Sequence, residues 1–264
     1  MKIVYSPHSQ SGLPPGPPPG RKNEFSGKPD RTMALQKNPH NEEVAALAIL
    51  PILATVGFYL LPESWKAHRL CQFAPQIIAY VSLGIWAVCN ADIIPKLGLQ
   101  TTKISAGIRL GLLIGLLLGS FNTTLILYGV PALGLDIAFL QNVPHAHIPL
   151  TIMVPWFIVF IAFAVEMNFR GFLLGRLLTL FSRHQKPSKN LNIIASVMAL
   201  GISSLAFAFD PFMVSTFQHL HWIAVWDGFI WGWMWLRTRN LYIPVAAHSI
   251  EVIIEYLVIR AALA

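Results

Sequence analysis

Charge is scarce in these 264 residues: Asp, Glu, Lys and Arg together make up 12%, against about 25% in soluble domains. That shortage excludes an ordinary water-soluble globule. Cysteine is nearly absent, with Cys71 and Cys89 alone. They fall near opposite ends of one expected helix, about 27 Å apart at 1.5 Å per residue, which excludes a disulfide between them. Acidic residues are few, twelve against nineteen Lys and Arg, for a formal charge of +7. In a soluble protein that excess would suggest nucleic acid. Here the cations fall mainly between apolar runs, as loops facing anionic lipid require, so nucleic-acid binding is not expected. No signal peptide is visible.

What is present is apolar: 55% of the chain, in recurring runs long enough to cross a bilayer at about 18 or more residues each. Seven such runs stand out, Val44 to Leu61, Cys71 to Asn90, Ile104 to Tyr128, Leu150 to Phe169, Leu191 to Phe209, His219 to Leu236, and Leu241 to Ala262. The expected fold is therefore all-α, a polytopic membrane helix bundle of about seven transmembrane helices over residues 44–264. Residues 1–43 are polar and broken by proline, with Leu13-Pro14-Pro15-Gly16-Pro17-Pro18-Pro19-Gly20 at the centre. This tail is expected to be disordered or polyproline-like until it meets a partner. With the N-terminus in the cytoplasm, sixteen Lys and Arg fall on the inner side and three, Lys66, Arg69 and Arg260, on the outer. That imbalance sets the expected orientation, in a bacterial inner membrane or its equivalent.

The third run carries Gly107, Gly111, Gly115 and Gly119. A four-residue spacing lines one helix face with no side chains, so that another helix can approach closely. Asn122-Thr123-Thr124 fits a glycosylation acceptor but falls inside this run, which dismisses it. Five of the eight tryptophans lie between Trp222 and Trp235, denser than an interface belt requires. Lipid is their expected neighbour, with a pigment or another subunit as alternatives.

The chemistry concentrates at Val165-Glu166-Met167-Asn168-Phe169-Arg170-Gly171, an acid and an arginine one helical turn apart inside an apolar stretch. Lipid tolerates such a pair only with a reason. The stretch resembles the first motif of the CAAX prenyl protease and bacteriocin-processing family of intramembrane proteases, Glu-Glu-x-x-x-Arg, with Val165 in place of the first Glu. Gly228 to His248, through Trp235, Arg237-Thr238, Pro244 and His248, resembles the third motif. The second motif, Phe-x-x-x-His, aligns best on Phe207 with Pro211 at the His position; Phe217 to His221 is the poorer alignment.

The resemblance implies hydrolysis of a peptide bond within the membrane, by a Glu base that activates water, two His from separate helices and an oxyanion-supporting Asn. By the same resemblance His248 matches the second His, while Val165, Pro211 and Val252 stand at the other three positions. A valine cannot accept a proton, and one lost oxyanion donor alone costs about 100- to 1000-fold in rate. The expected function is that of a non-catalytic subunit, acting by contact to assemble or stabilise a larger complex of integral membrane proteins. The alternative is a glutamic-type peptidase acting on prenylated or membrane-bound peptides, with Glu166, Arg170, His221 and His248 as a displaced site.

His248, Glu251 and Glu255 share one face of the last helix. A paired network closing against Arg170 or Asp227 is the expectation, with metal binding and proton transport as alternatives. No metal or cofactor is expected, since that spacing offers two or three ligands and none of them soft. His145 and His147, bracketed by Pro144 and Pro149, are expected to be ordinary loop residues, with a ligand role as the alternative.

Overall fold

The computed structural model describes residues 42–143, 146–183 and 189–263. They fall in one compact unit, Pro39–Ala264, and among them there is no strand. The proline-rich segment, and Pro144 and His145 of the paired-histidine loop, lie outside the described residues.

Each of the seven apolar runs forms helix. In chain order these seven, with two of the shorter helices between them, are α1 (Ala45–Tyr59), α2 (Arg69–Cys89), α3 (Ile93–Leu97), α4 (Ile104–Thr124), α5 (Leu150–Ser182), α6 (Lys189–Ala208), α7 (Pro211–Phe217), α8 (Ile223–Thr238) and α9 (Tyr242–Leu263). The count of seven full spans does not carry over. Among the described residues four helices are long and apolar enough to cross a membrane, and a fifth crossing is complete only if α6 and the segment after it, bent by 50°, count as one span. α1, at 15 residues, and α8, at 16, are shorter; at 1.5 Å per residue α8 extends about 24 Å, less than the ~30 Å hydrocarbon core. α4 continues through a wide π-type turn, Leu125–Gly129, to Ala132.

The four-glycine face of α4 has its partner within the chain, and that partner is α9. A Cβ placed on Gly111 would lie 2.5 Å from the Ile243 carbonyl oxygen, and one on Gly115 2.5 Å from that of Ala247. These are backbone atoms, which cannot swing aside as a side chain does. The two helices therefore lie backbone against backbone, and only glycine fits between them.

One end of this pair is clamped by the chain on either side. Gly98, at φ +86°, makes a left-handed turn that glycine adopts without steric cost. Its carbonyl accepts from the Leu241 amide at 2.9 Å, the neighbouring Leu97 carbonyl accepts from the Trp235 indole at 3.0 Å, and Asn240 Nδ2 donates to the Lys103 carbonyl at 2.9 Å. The α3–α4 junction and the α8–α9 junction are thus one fixed corner, from which α9 runs back along α4.

The bend between α6 and α7 has a local cause. Pro211 occupies the first turn of α7, and the Asp210 carboxylate caps it by accepting from the Phe212 amide at 3.0 Å. That cap restarts the helix in a new direction. Gln76 of α2 donates to the same Asp210 oxygen at 2.9 Å, tying the bend to the bundle.

Candidate functional site

The centre of the bundle is polar. Glu166, on α5, is fully buried, and Arg170 one turn later is 1% exposed. A wide π-type stretch, Met167–Leu174, begins directly after Glu166; such turns are frequent at functional sites. Ser203 of α6 donates to the Phe169 carbonyl at 2.9 Å and so satisfies one backbone acceptor of that stretch. Glu166 points into the core, whereas Val165 before it is only half-buried.

Two groups engage the Glu166 carboxylate. Arg170 Nε lies 3.2 Å from Oε2 and Nη1 donates to Oε1 at 3.2 Å. His248 of α9 places Nδ1 2.9 Å from Oε1. Aromatic rings close the remaining sides: the Arg170 guanidinium stands 4.4 Å from the centre of the Phe207 ring and 5.1 Å from that of Trp231. The Trp231 ring also stacks on His248, with centroids 4.5 Å apart and 19° between planes. Water is replaced on those faces by π-surfaces that suit a cation.

Of the residues singled out by sequence, the structure brings Glu166, Arg170 and His248 together and leaves His221 elsewhere. The bend at Asp210-Pro211 exists, yet His221 sits beyond it, with Nδ1 2.5 Å from the Gln218 carbonyl and its ring 5.2 Å from Phe209. Its neighbour His219 packs on Phe139. Pro211 opens α7 and offers no imidazole.

A second polar group adjoins this centre and was not anticipated in full. Asn122 of α4 donates Nδ2 to both Asp227 oxygens, at 3.1 and 3.3 Å, and to Glu251 Oε1 at 2.5 Å, while its own oxygen accepts from Trp226 at 3.1 Å. Glu251 therefore closes on Asn122 and Asp227, and His248 on Glu166, so α9 presents its polar face to two neighbouring acids. The signal for Asn122 lay in the glycine spacing. Three residues beyond Gly119, it continues the same face toward α9. Among the described residues no group of three or more His, Cys, Asp and Glu is arranged to hold a metal ion.

A buried Glu–Arg–His centre in an all-α bundle with membrane-length helices marks a polytopic membrane protein. Residues 147–254 match the family described as type II CAAX prenyl endopeptidase, Rce1-like. Over that segment the chain is similar to the CAAX protease family. No curated protein and no solved structure matches it.

Proposed function

We propose that this chain is a non-catalytic member of that family, acting by contact as an assembly or stabilising subunit of a larger complex of integral membrane proteins. The state of Glu166 carries this reading. A general base needs a free lone pair beside the water it deprotonates. Glu166 Oε1 is instead taken by Arg170 Nη1 and His248 Nδ1, Oε2 faces Arg170 Nε at 3.2 Å without an aligned hydrogen bond, and the side chain has no exposed surface at which to meet a water. The position ahead of it, where the resemblance implies the base, is Val165. The absence of carboxylate, imidazole and amide at Val165, Pro211 and Val252 supports the same reading. The Pro-rich sequence 13–20 is of a kind that orders on a partner, with the N-terminus on the cytoplasmic side by the distribution of Lys and Arg.

The test is purification from native membranes in mild detergent. Stoichiometric comigration with other membrane proteins is the expected result. A second reading rests on the 2.9 Å contact between Glu166 and His248, a pair that a glutamic-type peptidase cleaving prenylated or membrane-bound peptides would use. A freely running monomer whose peptide cleavage is abolished by both Glu166→Gln and His248→Ala would establish that reading and end the first.

A further inference from the structure

A second buried ion cluster sits where the chain leads into α1, made of residues that the reading above does not use. The Glu42 carboxylate lies 2.6 Å from Arg176 Nε of α5 and 3.6 Å from Lys96 Nζ of α3. The Arg176 guanidinium is stacked 4.1 Å from the centre of the fully buried Trp86 ring. Arg239, at the α8–α9 corner, adds a positive charge felt at Arg176. The cations here exceed the acid.

The donors are also poorly used. Arg176 is 3% exposed, yet its Nη1 has no acceptor, and its Nε and Glu42 Oε2 approach without forming an aligned hydrogen bond. The Trp86 indole nitrogen is buried without an acceptor as well. Each such orphaned donor is costly, and a single planar carboxylate leaves them unmet. A tetrahedral oxyanion offers more acceptors in more directions, and buried arginine is well suited to bind one.

The carboxylate arrives on a short arm held under tension. Asn90 pins the arm at Glu43, accepting from its amide at 3.2 Å and donating to its carbonyl at 2.9 Å. The next residue, Val44, is forced to φ +51°, a left-handed conformation that a β-branched side chain rarely adopts. An arm with strain at its base has a reason to leave once a better anion arrives.

We propose that Arg176 and Lys96 form a binding site for a phosphate group, monoester or diester, and that Glu42 occupies it as a built-in competitor that withdraws when phosphate enters. Such a phosphate comes either from an anionic lipid headgroup at the membrane surface or from a soluble phosphate compound.

The test uses the full chain in phosphatidylcholine nanodiscs, with two arms: added inorganic phosphate, or phosphatidylglycerol in place of part of the phosphatidylcholine. Hydrogen exchange of the amides of residues 43–48 is read by mass spectrometry in wild type, Lys96→Gln and Glu42→Gln. In wild type, exchange over 43–48 is expected to speed by roughly fivefold or more as the arm opens. A response to phosphatidylglycerol alone assigns the lipid headgroup; a response to inorganic phosphate assigns the soluble source. Lys96→Gln should blunt the response, and Glu42→Gln should exchange quickly without ligand and bind about tenfold more tightly. Wild-type exchange that neither anion changes, or a Lys96→Gln response equal to wild type, overturns the proposal even if Glu42→Gln does not fold.

Discussion

Glu166→Gln tests whether the carboxylate is the structural counterion of Arg170, because only that role predicts a large loss of stability. Glutamine keeps the shape of the side chain and one carbonyl acceptor, but it removes the charge that balances Arg170. The guanidinium then remains 1% exposed, with Asp227 as the next acid felt at that position, and Asp227 is already engaged by Asn122. Removing one partner of a buried ion pair costs about 3–5 kcal/mol, whereas replacing both with apolar side chains of similar volume is often neutral or stabilising. Glutamine still accepts one hydrogen bond, so the lower end, about 3 kcal/mol, applies. At roughly 2–4 °C per kcal/mol for a chain of this size, the midpoint should fall on the order of 10 °C. Thermal unfolding in mild detergent, followed by tryptophan fluorescence, measures it. The double variant Glu166→Leu with Arg170→Met should recover most of the loss. A midpoint within about 2 °C of wild type in Glu166→Gln refutes the reasoning, since a carboxylate that can lose its charge freely is not the counterion of Arg170.

Gly115→Ala should destabilise by about 1–3 kcal/mol, because its Cβ meets the Ala247 carbonyl at 2.5 Å. Gly57→Ala, which meets nothing within 4 Å, is the control and should be neutral or slightly stabilising; denaturant titration of both variants decides it. Asp210→Ala removes the α7 cap and the acceptor of Gln76 and should cost about 1–2 kcal/mol, seen as a lower unfolding midpoint and faster proteolysis around residues 209–213. Cys89 is exposed at the end of α2. In a Cys71→Ser background, a membrane-impermeant maleimide should label it only after sealed cells are opened, if the N-terminus is cytoplasmic. Labelling of intact cells would reverse the orientation.

Sequence alone was informative wherever the signal is local. Apolar runs gave the helices, the four-residue glycine spacing gave a face of close approach, and the i,i+4 pairing of Glu166 with Arg170 is a property of one helix. The number of crossings was not legible. An apolar run shows that a segment avoids water, but not that a capping Asp210 and Pro211 will bend it by 50° or that α8 ends after 16 residues. Long-range partners were hidden for a similar reason. Glu166 and His248 are separated by 82 positions, and nothing in either segment specifies which acid the imidazole meets. Lining up motifs suggested His221 as a third member, but the chain after the bend carries it to Phe209 instead.

The polar centre and the glycine face are one construction. Asn122 reaches Glu251 and Asp227 only because α4 lies backbone to backbone with α9. Side chains at Gly111 or Gly115 would push the helices apart and withdraw the amide from both carboxyl groups. The same α9 carries His248, one turn before Glu251, to Glu166. Arg170, His248 and Asn122 are therefore supplied to the buried acids by three different helices, α5, α9 and α4, and each contact depends on the spacing of the others. Acids buried without water must be neutralised or hydrogen-bonded wherever they lie. An interior of this kind resists piecemeal change: losing one carboxylate strands its cation, and losing the amide strands two acids. That interdependence gives a physical reason for the Glu–Arg–His centre and the Asn122 cluster to be kept as one unit.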